Sequence, residues 1–595
     1  MSDTIASRLA AVRGEMASVG IQAFIVPRAD EYLGEYVPAH NERLHWISGF
    51  TGSAGGVIVL EKSAAIFTDG RYTVQVRQQV SDKLFEFESL TDTPLADYLA
   101  HHLVAGDKVG IDARLHHMAW FEATKHTLAK SGIDLIALKQ NPIDQHWRNR
   151  PALPSTPIML YSAAQSGQSS LHKRQQIGAE ITKAGAELAL ITALDSLAWL
   201  LNIRGRDVPH LPVVMGTGLL WANGTMRFFT DMSKLPQSID AQVGEGVSFY
   251  PEEDLAEMFS ELKGQKLLAD PHTANAALLL AAGHAGAELI PGMDPVLMPK
   301  ACKNEVELDG MRNCHVRDGA AVCRFLAWLD REVATGNLYD EGELADKLAR
   351  FREQDGHYIE PSFDTISAAG ANAAMCHYNH LNGKAAKLTM DSMYLVDSGG
   401  QYLDGTTDVT RTIAIGDVGA EQKKMVTLVL KGHIALDMAK FPKGTTGPQL
   451  DAFARQYLWQ YGFDYDHGTG HGVGHFLSVH EGPQRIAKNA NSVPLLPGMI
   501  LSNEPGYYRT DGFGIRLENL VEVRACEALA DAEREMLEFN AITLIPFDLR
   551  LLDKSLMTRD EIDWLNRYHK RVYQAVSPLL HEHDLAWLKH ATRAI

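Results

Sequence analysis

The chain is expected to fold as an α/β (α+β) protein in three parts, two related N-terminal domains followed by a larger C-terminal one. Three observations carry that expectation. Helix and strand signals alternate from the start to about residue 140. The same order of signals then returns 165 positions later. Two proline-rich joins, Pro142 through Pro157 and Pro291 through Pro299, punctuate the chain where linkers would lie. The predicted parts are 1–150, 151–300 and 301–595, the last including an extension from about residue 540.

Taken in order, Ile5, Leu9, Val12, Met16 and Val19 recur at helical spacing and predict an amphipathic helix. Ala23-Phe24-Ile25-Val26, stopped by Pro27, is predicted as a buried strand, as are Gly56 to Leu60 and Ala64 to Phe67, which ends at Thr68-Asp69-Gly70. In the second copy Val12, Met16, Gly20, Ile25 and Asp30 have counterparts in Ile177, Ile181, Gly185, Leu190 and Asp195. Phe67-Thr68-Asp69 returns as Phe229-Thr230-Asp231 after a small deletion. Single apolar matches are cheap, but helix, glycine, strand and acidic turn recurring in order point to duplication. Neither copy gathers catalytic residue types, so both are expected to be scaffold or lids.

A long helix is predicted from near Asn304, with Glu305 and Glu307 in the first turn, where the helix dipole favours acids. Val322, Phe325, Leu326 and Leu329 lie along one side of it. After the strand-like Leu520 to Val523, Thr558-Arg559-Asp560-Glu561 matches a capping box. Leu565, Tyr568, Val572 and Val576 follow at helical spacing, predicting a tail that packs on the third part.

Composition narrows the function. At 595 residues the chain exceeds one ordinary domain. Its net charge of −18, with no strongly basic block, argues against a nucleic-acid partner. No apolar run approaches the length needed to span a bilayer, so no membrane partner is expected. The first residues have neither the basic nor the apolar region of a secretory signal. Five scattered cysteines form no disulfide framework and no CxxC metal pair, and the cytoplasm is the expected compartment.

The chemistry concentrates between Tyr394 and Glu518. Asp397 ends the apolar run Tyr394-Leu395-Val396, and Asp408 opens Val409 to Ile413. Two strands joined by a loop carrying Gly399, Gly400 and Gly405 would form a hairpin that brings both carboxylates together. Either Asp alone more often caps a turn. His467, His471 and His480 follow in a segment threaded by Gly468, Gly470, Gly472 and Gly474, glycines expected to let backbone approach a ligand. The phosphate-loop pattern GxGxxG fails there, and HExxH is absent from the chain. Glu504 follows Met499-Ile500-Leu501, and Glu518 sits in a strand-like stretch where a solvated face is the local expectation. Four carboxylates and one neutral imidazole in one place would repel unless cations sat among them; two divalent ions would balance the charge and leave room for a hydroxide.

The motifs LVDSG, DGTTDVTRT, GTGHGVG, NEPGYY and GIRLEN resemble those of the M24 metallopeptidases of the pita-bread fold. Within them the chain is most similar to the aminopeptidase P group, whose members remove an N-terminal residue preceding proline. The family order of Asp, Asp, His, Glu, Glu falls on Asp397, Asp408, His471, Glu504 and Glu518, which the resemblance implies are the metal ligands. Its substrate-binding histidines match His377 in CHYN, His467 in HGTGH and His480 in VHEGP. Two creatinase-like N-terminal domains, a pita-bread catalytic domain and the tail TLIPFDLRLLDKSLMTRDEIDWLNRYH look like the long, three-domain cytosolic form.

That resemblance implies two divalent metal ions. Ligands dominated by carboxylate oxygen favour Mn2+, with Zn2+ and Co2+ as alternatives. It further implies that Asp408 and Glu518 bridge the metals, that a shared hydroxide attacks the scissile carbonyl, and that Glu504 accepts a proton. His377 and His480 would polarise the carbonyl or hold the oxyanion, and Arg516 would pair with Asp397. The expected substrates are peptides with proline second; that tertiary amide lacks the N–H that many proteases read. Tyr378, Tyr507 and Tyr508 are candidates to line a slot for the ring, and a homodimer is the expected assembly. A prolidase-type Xaa-Pro dipeptidase shares the five ligands, and a metal-free pita-bread binding module is the alternative from another class.

Overall fold

A computed structural model describes residues 4–527, 529 and 531–595. The chain divides into two compact units, one running up to Ala163 together with Gln168–Leu297, the other Ala164–Gly167 with Met298–Ile595.

The first unit is built on two six-stranded sheets. In the first, β1 (Ala23–Pro27), β2 (Gly56–Leu60), β3 (Ala64–Thr68), β4 (Glu86–Ser89), β5 (Lys108–Ile111) and β6 (Asp134–Ala137) lie in the order β4-β3-β2-β1-β5-β6. In the second, β7 (Leu188–Ile191), β8 (Thr217–Trp221), β9 (Met226–Phe229), β10 (Val247–Tyr250), β11 (Lys266–Ala269) and β12 (Glu288–Pro291) repeat it as β10-β9-β8-β7-β11-β12. The antiparallel pairings β1·β2 and β2·β3 recur as β7·β8 and β8·β9, and the remaining pairs are parallel in both sheets. The duplication is therefore one of topology as well as of pattern.

Matched residues do matched work. Helix α1 (Ile5–Val19) buries Val12 and Met16, and its counterpart Ser170–Lys183 buries Ile177 and Ile181. Gly20 and Gly185 both adopt left-handed backbone, φ 69° and 76°, which lets the chain turn from helix to strand without a Cβ clash. Val19 is 54% exposed, so the apolar stripe stops one turn short of the predicted face. The proline-rich join also starts later than expected. Pro142–His146 is a helix capped by Asn141, with proline in the first turn where its missing N–H costs nothing, and Ile143 is buried in the same core as α1. The irregular stretch begins after it.

In the second unit the long helix runs Glu305–Ala334, its start fixed by a capping box between Asn304 and Glu307. The penultimate α-helix, Arg559–Val576, has the matching box between Thr558 and Glu561, and Leu565, Tyr568, Val572 and Val576 join the principal core of the unit. Two sheets carry the site. A three-stranded one is ordered Ile366–Ala369, β13 (Ser392–Ser398), β14 (Val409–Ile415). A six-stranded one contains β15 (Gly470–Gly472), β16 (Glu481–Ile486), β17 (Ile500–Asn503) and β19 (Asn519–Ala525), while β18 (Phe513–Arg516) pairs separately with Gly506–Arg509. β13 and β14 do pair antiparallel, yet their connection is more than a glycine loop. Gly400–Tyr402 and Gly405–Thr406 form a small hairpin of their own that joins Tyr358–Pro361. Among the described residues the five cysteines are free and no helix is long and apolar enough to cross a membrane.

Candidate metal centre

The antiparallel register of β13 and β14 sets Asp397 opposite Thr410, two residues beyond Asp408. The end of β18 then reaches across: the Glu518 N–H donates to the Thr410 carbonyl at 3.1 Å, and the Arg516 N–H donates to Thr412 Oγ1 at 3.2 Å. Two strands from different sheets are thereby stitched side by side. The result is that ligand-type atoms of Asp397, Asp408 and Glu518 lie within 4.8 Å of one another. The same holds for His471, Glu504 and Glu518, and for Asp408, His471 and His480.

Glu518, whose local sequence taken by itself would allow a solvated face, is 1% exposed. Its Oε2 accepts from Thr410 Oγ1 at 2.8 Å. Its Oε1, like Asp397 Oδ1, is buried without a hydrogen-bond partner. Asp397 Oδ2 accepts from Arg516 Nη2 at 2.5 Å. Burial drives the Asp397 carboxyl up to about 6, against the pull of Arg516 and with the push of Asp408. Burial raises Glu518 well above the usual carboxylate range, reinforced by the charges of Asp408, Glu504 and Asp397. Glu504 is raised by burial too, offset by His471 and Arg516.

The imidazole at 471 shows which way the cluster is poised. Its Nδ1 lies 2.9 Å from the Gly472 carbonyl oxygen. A carbonyl only accepts, so Nδ1 carries the hydrogen and Nε2 presents a lone pair in the neutral ring. That Nε2 lies 3.5 Å from Asp408 Oδ2 and 3.4 Å from Glu504 Oε1. Lone pairs converging with orphaned buried oxygens are the donor set of a cation site, and these residues fit a pair of divalent ions.

The glycines around His471 serve a different purpose from the one expected. A Cβ on Gly470 would lie 2.0 Å from the Ser502 carbonyl oxygen, and one on Gly472 would lie 2.8 Å from that of Glu481. They admit neighbouring strands rather than a ligand.

His467 and His377 stand outside these donor groups. His467 Nδ1 donates to the Gly468 carbonyl at 2.7 Å, so its Nε2 accepts from the Tyr508 hydroxyl at 2.8 Å, and that oxygen accepts from Arg516 Nη1 at 2.7 Å. A chain of hydrogen bonds thus runs from His467 through Tyr508 and Arg516 to Asp397. His377 follows the short turn Gly370–Ala374, which packs so closely on β18 that a Cβ on Gly514 would meet the Ala373 carbonyl oxygen at 1.7 Å. Burial pushes the Tyr508 phenol up.

The tyrosines divide. Tyr507 is 7% exposed and packs on Phe463 and Phe513 within the core. Tyr378 donates to Glu341 Oε2 at 2.7 Å. Sequence reasoning missed Thr410, which bonds Glu518 and accepts from Arg516 Nε at 3.1 Å, and Ser502, which donates to Glu504 Oε1 at 3.1 Å. The period-two series Asp408, Thr410, Thr412 was the available signal, since those side chains share one face of a strand.

The model of metallopeptidase family M24 matches residues 309–525, and that of its C-terminal region matches 535–595. Two creatinase/prolidase N-terminal domain models match 8–143 and 149–307. Aminopeptidase P2 of Arabidopsis thaliana is 38% identical, covering 97% of this chain and 86% of its own. A probable Xaa-Pro aminopeptidase P of Tuber melanosporum is 38% identical over 99% of both chains. The crystal structure of X-prolyl aminopeptidase from Caenorhabditis elegans, described as a cytosolic enzyme with a di-nuclear active site, matches with a TM-score of 0.95 at 34% identity over 100% of both chains. The Xaa-Pro dipeptidase of Bacillus anthracis, 24% identical, shares the fold over 64% of this chain with a TM-score of 0.50. The chain belongs to metallopeptidase family M24, grouping with Xaa-Pro aminopeptidase P relatives.

Proposed function

We propose that this chain is a metal-dependent aminopeptidase that hydrolyses the bond between an N-terminal residue and a following proline. The observation that carries the reading is the buried convergence of Asp397, Asp408, His471, Glu504 and Glu518 in a chain matched end to end by Xaa-Pro aminopeptidases. Those five residues would hold two divalent ions between them. Carboxylate-rich ligation favours manganese.

When bound, the ions supply Lewis acidity and a water that is nucleophilic near neutral pH. The protein supplies the rest. Glu504, raised by burial and held by Ser502, accepts a proton. His480, its ring 4.3 Å from that of His471, donates to the scissile carbonyl oxygen as negative charge grows there, with His377 beside the same substrate. His467 and Tyr508 bind the peptide, and Arg516 keeps Asp397 ionised.

The substrates are peptides with proline second, and the compartment is the cytoplasm. The assembly is a homodimer. The division near residues 150 and 300, with an extension from about 540, belongs to the same reading.

The test compares Xaa-Pro-Yaa tripeptides with Xaa-Pro dipeptides, before chelation, after it, and after manganese is restored. Tripeptide hydrolysis is expected to vanish on chelation and return with manganese. Preference for the dipeptide would make the chain a prolidase; neither bound metal nor rescue would make it a binding module.

The raised carboxyls also set a pH dependence. Folded Asp397, Glu504 and Glu518 hold protons more tightly than unfolded carboxylates do. In metal-free protein their contribution to stability is present at low pH and is lost as pH rises through their raised titration ranges, about 6 for Asp397. Cations take the place of those protons. The rise in melting temperature produced by saturating manganese is therefore expected to be larger at about pH 7.5 than at about pH 5.5. Differential scanning fluorimetry measures it, and a shift that shrinks with rising pH counts against the ligand set.

A further inference from the structure

Lys300, Lys303 and Glu481 form a buried cluster of charges outside the donor groups. Lys300 Nζ donates to Glu481 Oε2 at 2.7 Å, and Lys303 Nζ donates to Glu481 Oε1. The side chains of Lys300, Lys303 and Glu481 are 1%, 2% and 0% exposed. Taking three charges out of water is costly, and Glu481 repeats no local capping or turn motif.

The strand register shows where the cluster acts. β15 and β16 pair Gly470 with Ile486 and His471 with Arg485, but the next pair is Gly472 with Glu481. One step on β15 answers to four on β16, so Gly482, Pro483 and Gln484 fall out of the ladder. Backbone pairing alone would have put Gln484 opposite Gly472. The irregularity is what brings Glu481, and with it the adjoining His480, alongside His471. The two lysines hold Glu481 there. Their own segment is anchored, because the Lys303 N–H donates to the Gly498 carbonyl at 3.0 Å and Asn304 caps the long helix directly after it.

We propose that Lys300 and Lys303 are positioning residues: by gripping both oxygens of Glu481 they hold the bulged strand so that His480 stands against His471, over the carboxylate cluster. The inference rests on the reading of His480 as the group that faces the scissile carbonyl. Neither lysine touches substrate, and their effect passes through the placement of one imidazole.

The experiment is a double-mutant cycle on the full chain. Lys303→Met is expected to lower kcat on an Xaa-Pro-Yaa peptide by about 10- to 100-fold, the cost of misplacing a reacting group by about 1 Å. KM and the metal-to-protein ratio stay within about twofold. In a His480→Ala background the same change costs less than about threefold, because the residue being positioned is gone. Lys300→Met is run in parallel and carries the test if Lys303→Met does not fold. Unchanged kcat, equal losses in both backgrounds, a loss that tracks missing metal, or failure of both lysine variants to fold each overturns the proposal. Equal kcat in wild type and His480→Ala would instead overturn the reading of His480.

Discussion

Asp408→Ala is expected to lower kcat/KM by about a thousandfold or more while leaving the fold intact. Asp408 belongs to two of the three donor groups, so its loss weakens both cation positions at once. Lewis-acid stabilisation of several kcal/mol disappears with them, and about 4 kcal/mol corresponds to a thousandfold in rate. Folding survives because Asp408 lies among like charges, and removing one of four crowded carboxylates relieves repulsion in the metal-free state. Metal analysis and circular dichroism read the two effects separately. Near-normal turnover with two ions still bound would show that Asp408 is not a ligand.

Arg516→Met is expected to be the most destabilising single change near the site. The guanidinium bonds Asp397, Thr410 and Tyr508, and its pair with Asp397 is 3% and 11% exposed. Breaking a buried pair by removing one partner costs about 3–5 kcal/mol, because the remaining charge is left without compensation. In metal-free protein that is a fall in melting temperature of roughly 6–12 °C, taking about 3 kcal/mol at 2–4 °C each. Adding Asp397→Asn should recover much of the loss, since the orphaned charge goes with it. A melting temperature unchanged within a degree or two would mean that the pair contributes nothing. Activity should fall as well, as the hydrogen-bond chain from His467 to Asp397 is cut at its centre.

Much of the architecture could be read from residues within a few positions of one another. The caps at Asn304 and Thr558 are local, since a side chain three residues away either bonds the free N–H or does not. The duplicated half was legible because each copy must alternate helix and strand in the same order to bury the same faces, down to the left-handed glycines at 20 and 185. Pro142 misled for an equally local reason: proline ends segments, but it also begins helices, and only the burial of Ile143 decides which.

The site divides along the same line. The kinds of donor atom, their order along the chain and the resulting charge problem are properties of the sequence by itself. Which of them meet is a property of packing. Nothing near Glu518 distinguishes a solvated glutamate from a buried one; its burial follows from β18 crossing to the Thr410 strand, which lies over a hundred residues away. Tyr507 and Tyr508 are neighbours of one kind, yet strand alternation sends one into the core and the other to His467. Lys300 and Lys303 look like ordinary surface lysines until an irregular strand 178 positions later delivers a carboxylate to them. Local propensity acts over one or two turns of chain, whereas a catalytic constellation is assembled by sheet register and burial, and those are set only when distant segments have packed.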